Sequence, residues 1–128
     1  MPWPGDAART FVALGSLFGF LGVAAGAFGA HALRASLSAG DMTTFEIAVR
    51  YQLVHALALV AAAWVATRWP GGAATASGWL FALGIVVFSG SLYVLVLAGQ
   101  RWMGAVTPLG GLAFLAGWLA LAWAAVRG

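Results

Sequence analysis

Four apolar stretches, each long enough to cross a bilayer and separated by breaks of only a few residues, constrain this chain more than any other feature. A helix needs ~20 apolar residues to span a hydrocarbon core. Residues 10–33, 43–67, 76–98 and 107–126 all meet that length. The breaks carry turn chemistry: Ser36 to Gly40 is small and polar, Pro70-Gly71-Gly72 is a turn signal, and Gly99-Gln100-Arg101 ends the third stretch. Asp41, Thr43 and Thr44 are available to cap the second helix, and Thr107-Pro108 reads as a cap followed by proline at the first helical position. Connections this short force neighbouring helices to run antiparallel. The expected fold is therefore all-α, an integral membrane four-helix up-down bundle forming a single membrane domain over residues 1–128.

Composition agrees. Hydrophobic residues make up 63% of the chain and charged residues 7%, whereas soluble domains average about 25% charged. The six arginines are scattered singly and there is no lysine, so the basic balance reflects a shortage of acids. Nucleic-acid binding needs clustered basic residues and is not expected. With no cysteine, disulfides and thiolate chemistry are excluded. Arg9, the following apolar run and Ala25-Gly26-Ala27 or Ala30-His31-Ala32 imitate a secretory signal with its cleavage site. The run outlasts the usual signal length, and an uncleaved first helix is the preferred reading.

That helix carries Gly15, Gly19, Gly22, Gly26 and Gly29, spaced four, three, four and three. The 3.5-residue period lines all five along one side. Small residues let helix backbones approach closely in lipid, so a tight helix–helix seam is expected there. Gly78, Gly84 and Gly90 in the third stretch, with Gly110, Gly111 and Gly117 in the fourth, suggest close packing throughout.

Arg9, Arg68 and Arg127 fall on the side of the termini, against Arg34 and Arg101 on the other, with Arg50 slightly inside its helix. The positive-inside rule then places both termini in the cytoplasm. Trp3, Trp64, Trp69, Trp79 and Trp123 also gather on the terminal side, and Trp102 stands on the other. The polar residues are biased the opposite way. His31 and Arg34 close the first helix, and Glu46, Arg50, Tyr51, Gln52 and His55 open the second. Ser89, Ser91 and Tyr93 lie late in the third, and Thr107 begins the fourth. In an up-down bundle all of these share the half of the membrane away from the termini.

Ionisable groups at membrane depth are costly and face a partner, a cavity or a ligand. At ~100° per residue, Glu46 and Arg50 share one side of their helix, Tyr51 and His55 another, and the two pairs point roughly 140° apart. Glu46 and Arg50 have the spacing and order for an i,i+4 ion pair. Tyr51, Gln52 and His55 form a deeper polar face, with His55 ~18 Å in from Thr43. His31 and the Ser89–Tyr93 segment are its expected neighbours.

Each group has a structural and a functional reading. His55 suits a helix-locking hydrogen bond better than a proton relay or a haem ligand, because polar side chains commonly tie membrane helices together. His31 and His55 differ in depth by roughly 10 Å, so they cannot share a metal held at ~2.1 Å, and no metal site is expected. Arg34 and Arg101 read as lipid-headgroup contacts. Phe88-Ser89-Gly90-Ser91-Leu92-Tyr93 reads as a kink over a pocket, or as packing with hydroxyls bonded to their own helix. No nucleophile elbow, P-loop, dinucleotide fingerprint or paired-acid arrangement occurs, so nothing in the sequence supports catalysis.

Gly26-Ala27-Phe28-Gly29-Ala30-His31, Tyr51-Gln52-x-x-His55, Phe88-Ser89-Gly90-Ser91-Leu92-Tyr93, Thr107-Pro108-x-Gly110-Gly111 and Gly117-Trp118 stand in this order. Together they resemble the DUF423 family of small membrane proteins, which includes the eukaryotic transmembrane protein 256. The resemblance runs from about Ala13 to Trp118. It implies a four-span protein of the bacterial inner membrane and implies no activity.

The leading expectation is a non-enzymatic bundle without a cofactor that binds membrane lipids or a partner, or self-associates, through its polar half. Two other readings stand beside it. One is a small transporter or proton-linked carrier with a site lined by Tyr51, Gln52 and His55. The other is a quinone- or haem-binding accessory of a respiratory complex.

Overall fold

A computed structural model describes residues 6–127, and these form four helices long and apolar enough to span a membrane. They are α1 (Asp6–Leu33), α2 (Ala39–Arg68), α3 (Gly72–Ala98) and α4 (Thr107–Arg127), with a 3-10 turn at Arg101–Ala105 ahead of α4. Trp3 lies outside the described residues. The punctuation works largely as the sequence implies. Gly99 ends α3 in the left-handed conformation, at φ 71°, where a side chain is disfavoured. Pro108 sits in the first turn of α4, where its missing N–H costs nothing.

The start of α2 is different. Ser38, not Asp41, Thr43 or Thr44, is the cap: its hydroxyl accepts the Asp41 N–H at 3.1 Å. The helix therefore begins before its apolar stretch. Thr43 and Thr44 are already inside it and donate back to Ala39 and Gly40 carbonyls. Thr107 also spends its hydroxyl elsewhere, on the Met103 carbonyl and on Ser91.

α1 packs along α2, α4 along α3, and α2 against α3, so α2 and α3 form the inner pair. Half of α2's apolar window is buried, against 17% of α1's. The main core joins all four helices through Phe11, Leu59, Phe81, Ile85 and Phe114. Phe45, Val49 and Val96 fill the end away from the termini, and Val65, Ala74 and Ala124 the terminal end.

The glycine seam of α1 lies against α2. A Cβ on Gly15 would stand 2.8 Å from the Ala56 carbonyl oxygen, and one on Gly22 would stand 2.7 Å from the Leu53 side chain. Gly26 faces Val49 and Gly29 faces Phe45 in the same manner. The other seams work by ring into notch: Phe11 fills the space over Gly78, Phe114 that over Gly84 and Phe81 that over Gly117. Gly110 is pressed against the Phe88 backbone itself. Gly90 has nothing within 4 Å and belongs to no seam.

Two wide π turns interrupt the regular helices, at Ala25–Gly29 in α1 and Ile85–Ser89 in α3. Both come against α2 at one level. Gly26 meets Val49, and the Ser89 hydroxyl donates to the Ala48 carbonyl at 2.7 Å. Such turns are frequent where helices carry a functional irregularity.

Candidate functional site

The polar residues of α2 do not form one face. Gln52 is buried and looks toward α1 and α3: its Nε2 donates to the Phe18 carbonyl at 2.9 Å, and its Oε1 accepts the Tyr93 hydroxyl at 2.7 Å. The glycine seam makes this reach possible, since Gly22 offers no Cβ where the Gln52 chain passes. Ser89 ties α3 to α2 beside it. The Ser91 and Thr107 hydroxyls are hydrogen-bonded to each other, joining α3 to α4, with the Phe88 and Met103 carbonyls as competing acceptors for their two protons.

His55, three residues on from Gln52, looks toward α4. The Trp118 indole Nε1–H donates to His55 Nε2 at 3.0 Å. An indole can only donate, so Nε2 accepts and the neutral ring carries its proton on Nδ1. Nδ1 stands 2.7 Å from the Tyr51 carbonyl and donates to it. The ring is 4% exposed and stacks on Phe114 with centroids 3.6 Å apart and planes 10° apart. Both ring nitrogens are thus engaged, leaving none for a metal or a haem iron. Among the described residues no group of three or more His, Cys, Asp or Glu side chains gathers either.

Beside His55 a groove of about 540 Å³ opens between α2, α3 and α4. Tyr51, Phe88, Gly111, Phe114, Leu115 and Trp118 line it. Tyr51 is exposed at the rim, its ring centroid 4.7 Å from that of Phe88 with the planes tilted by 35°. No buried side-chain nitrogen or oxygen among the described residues lacks a partner, so the groove presents rings and aliphatic groups.

Four expectations need correction. Glu46 and Arg50 do not pair; both are exposed and line a separate groove of about 390 Å³ between α1 and α2. The helical spacing permits a pair, but the only ion pair among the described residues joins Arg101 to Asp41, with two hydrogen bonds of 3.0 Å. Arg101 is therefore a clamp across the loops and not a free headgroup contact, while Arg34 remains exposed. His31 is exposed too and does not join the Gln52 or His55 clusters. Gln52 and His55, ~60° apart around the helix, part company because α2 has neighbours on several sides.

Sequence reasoning missed Trp118, Phe114 and Phe18 as site residues. Depth could have found the first. Trp118 lies ~16 Å into α4 from Thr107 and His55 ~18 Å into α2 from Thr43, and since both helices start from the same membrane face and run parallel, the two residues are level. Asp41 and Arg101 share a side of the membrane by the same count. On the terminal side Arg68 and Arg127 lie over the Trp69 and Trp123 rings, at 5.4 and 5.5 Å.

Comparison with known proteins gives one consistent result. A family model described as a protein of unknown function, DUF423, matches residues 25–111. A UPF0382 membrane protein of Staphylococcus haemolyticus is 46% identical, over 88% of this chain and 92% of its own length. The Bacillus subtilis membrane protein YwdK is 41% identical, over 93% and 98%. The Escherichia coli inner membrane protein YgdD is 39% identical, over 93% and 91%. No solved structure matches the chain.

Proposed function

We propose that this chain, which belongs to the DUF423 family, is a non-enzymatic, lipid-binding helical bundle of the bacterial inner membrane with both termini in the cytoplasm. No activity is assigned to the family. The observation that carries the reading is the mutual closure of the buried neutral groups in the polar half. Gln52, Tyr93, Ser89, Ser91, Thr107, His55 and Trp118 satisfy one another or a neighbouring backbone. Catalysis needs a group poised to exchange a proton or attack, and a proton-linked carrier needs a ring nitrogen free to load. His55 has neither nitrogen free. What this half offers to the outside is grooves, and the largest of them is lined by rings that suit acyl chains or the flat apolar part of a lipid. A quinone reading finds the same rings, with the exposed Tyr51 hydroxyl as its one polar handle, and becomes an outcome of the test.

Native mass spectrometry in mild detergent tests this. The wild-type protein is expected to carry bound lipid. Gly111→Leu should carry fewer, because a Cβ there meets nothing closer than the Phe88 ring at 4.0 Å, leaving the added side chain to fill the groove without breaking the fold. A wild-type protein seen only as lipid-free monomer would sink the proposal. A bound quinone mass would replace it with the respiratory reading.

A further inference from the structure

Glu46 and Arg50 are two charges within a span that have no ion-pair partner among the described residues. α2 is a 30-residue helix, ~45 Å long, in a hydrocarbon core of ~30 Å. If its ends overhang evenly, the Cα of Glu46 lies about 3 Å and that of Arg50 about 9 Å below the core boundary. Each side chain is exposed, and neither has an ion-pair partner among the described residues. A carboxylate and a guanidinium at such depth need counter-charges. A lone anion or a lone cation would satisfy only one of them.

We infer that the α1–α2 groove binds a phospholipid whose headgroup joins a phosphate to a primary ammonium through a two-carbon link. The inference rests on the lipid-binding reading above and adds a site and a lipid class to it. The groove presents its chemistry in the order such a lipid does. From the membrane surface inward along α2 come the Glu46 carboxylate, the Arg50 guanidinium and then Leu53, with Gly26 and Ala30 of α1 as the opposite wall. An ammonium outermost on Glu46, a phosphate on Arg50 and an acyl chain along Val49 and Leu53 match that order. The spacing agrees: four residues rise ~6 Å along a helix, and the long arginine stem lifts its head toward the surface. A guanidinium offers paired N–H donors to phosphate oxygens. A carboxylate accepts hydrogen bonds from a primary ammonium, and a quaternary one has none to give.

The full chain, delipidated in mild detergent, would be offered phosphatidylethanolamine, phosphatidylglycerol and phosphatidylcholine of equal chain length, with retention read by native mass spectrometry. Wild type should retain the ethanolamine lipid roughly tenfold over the other two, the scale of one charge-assisted hydrogen bond. Glu46→Gln should erase that preference while phosphate-bearing lipids still bind. Arg50→Gln should lower retention of all three. Both variants replace exposed side chains with a neutral one, isosteric in Glu46→Gln and shorter in Arg50→Gln, and an unchanged melting temperature certifies the fold. Equal retention of the three lipids by wild type would overturn this inference while leaving lipid binding intact. A lipid-free wild type would remove both. A lipid-free dimer that Glu46→Gln dissociates would mean that a second copy supplies the counter-charges, and would overturn it as well.

Discussion

Glu46 and Gln52 stand six residues apart on one helix and have opposite environments. Gln52 is 5% exposed, and its amide is used up by the Phe18 carbonyl and the Tyr93 hydroxyl. Glu46 is exposed and takes no ion-pair partner from the described residues. The same split separates His55, locked between Trp118 and the Tyr51 carbonyl, from Arg50. The difference teaches that polarity within a membrane span is not one signal. Neutral groups that donate and accept can close on one another and become part of the packing. Glu46 and Arg50, full charges on an outward face, do not, and they are left to meet something else.

The comparison breaks most severely if the sealed region is forced open. A Cβ on Gly110 would collide with the Phe88 backbone, which cannot swing aside as a side chain can. Gly110→Val should therefore cost about 1–3 kcal/mol or more by overpacking, read as a lowered unfolding midpoint in detergent. It should also part Ser91 from Thr107. An unchanged midpoint would mean that α3 and α4 are not held this close.

A smaller and more selective effect comes from His55→Leu. It strands the Trp118 N–H in an apolar groove and should cost about 1–3 kcal/mol. Trp118→Phe removes the donor instead. A double-mutant cycle should give a coupling of about 0.6 kcal/mol and at most about 1.7 kcal/mol, the mean and maximum for hydrogen bonds between membrane helices. Additive losses would show that the two rings only pack.

The smallest effect sharpens the other side. Glu46→Gln should leave the unfolding midpoint within about 0.5 kcal/mol of wild type, as an exposed group without an internal partner implies. A loss as large as that of His55→Leu would erase the distinction between the two regions.

How much of this was legible in the sequence depended on whether one helix sufficed to decide it. The 4-3-4-3 glycine spacing on α1 specifies a seam by itself, because any neighbour must meet a flat side. The helix starts were less secure: Ser38 outcompeted Asp41 as cap, which freed Asp41 to clamp Arg101 across the loops. The Tyr51–Gln52–His55 face was misread for a similar reason. Angles around α2 say where side chains point and not which helix waits there, and ~60° was enough to send Gln52 to α1 and His55 to α4. Trp118 stands in the sequence only as part of a family motif, because nothing on its own helix marks its indole as a donor. Its indole N–H sits at the depth of His55 and serves as the donor that fixes the imidazole tautomer.

The two wide turns flanking α2 have a consequence for how this chain tolerates changes in length. A turn that holds one residue more than an α turn absorbs an insertion without rotating the helix downstream of it. Losing one residue inside Ile85–Ser89 would tighten that turn to the ordinary kind and leave Ser91 and Tyr93 aimed as they are. The same loss in Gly72–Gly84 would swing one end of α3 by ~100° against the other, and the residues now facing α2 and α4 would part company. Ala25–Gly29 gives α1 the same slack at the same level. Single-residue deletions within the described helices thus have two places where the downstream register survives, and both lie beside Ala48 and Val49.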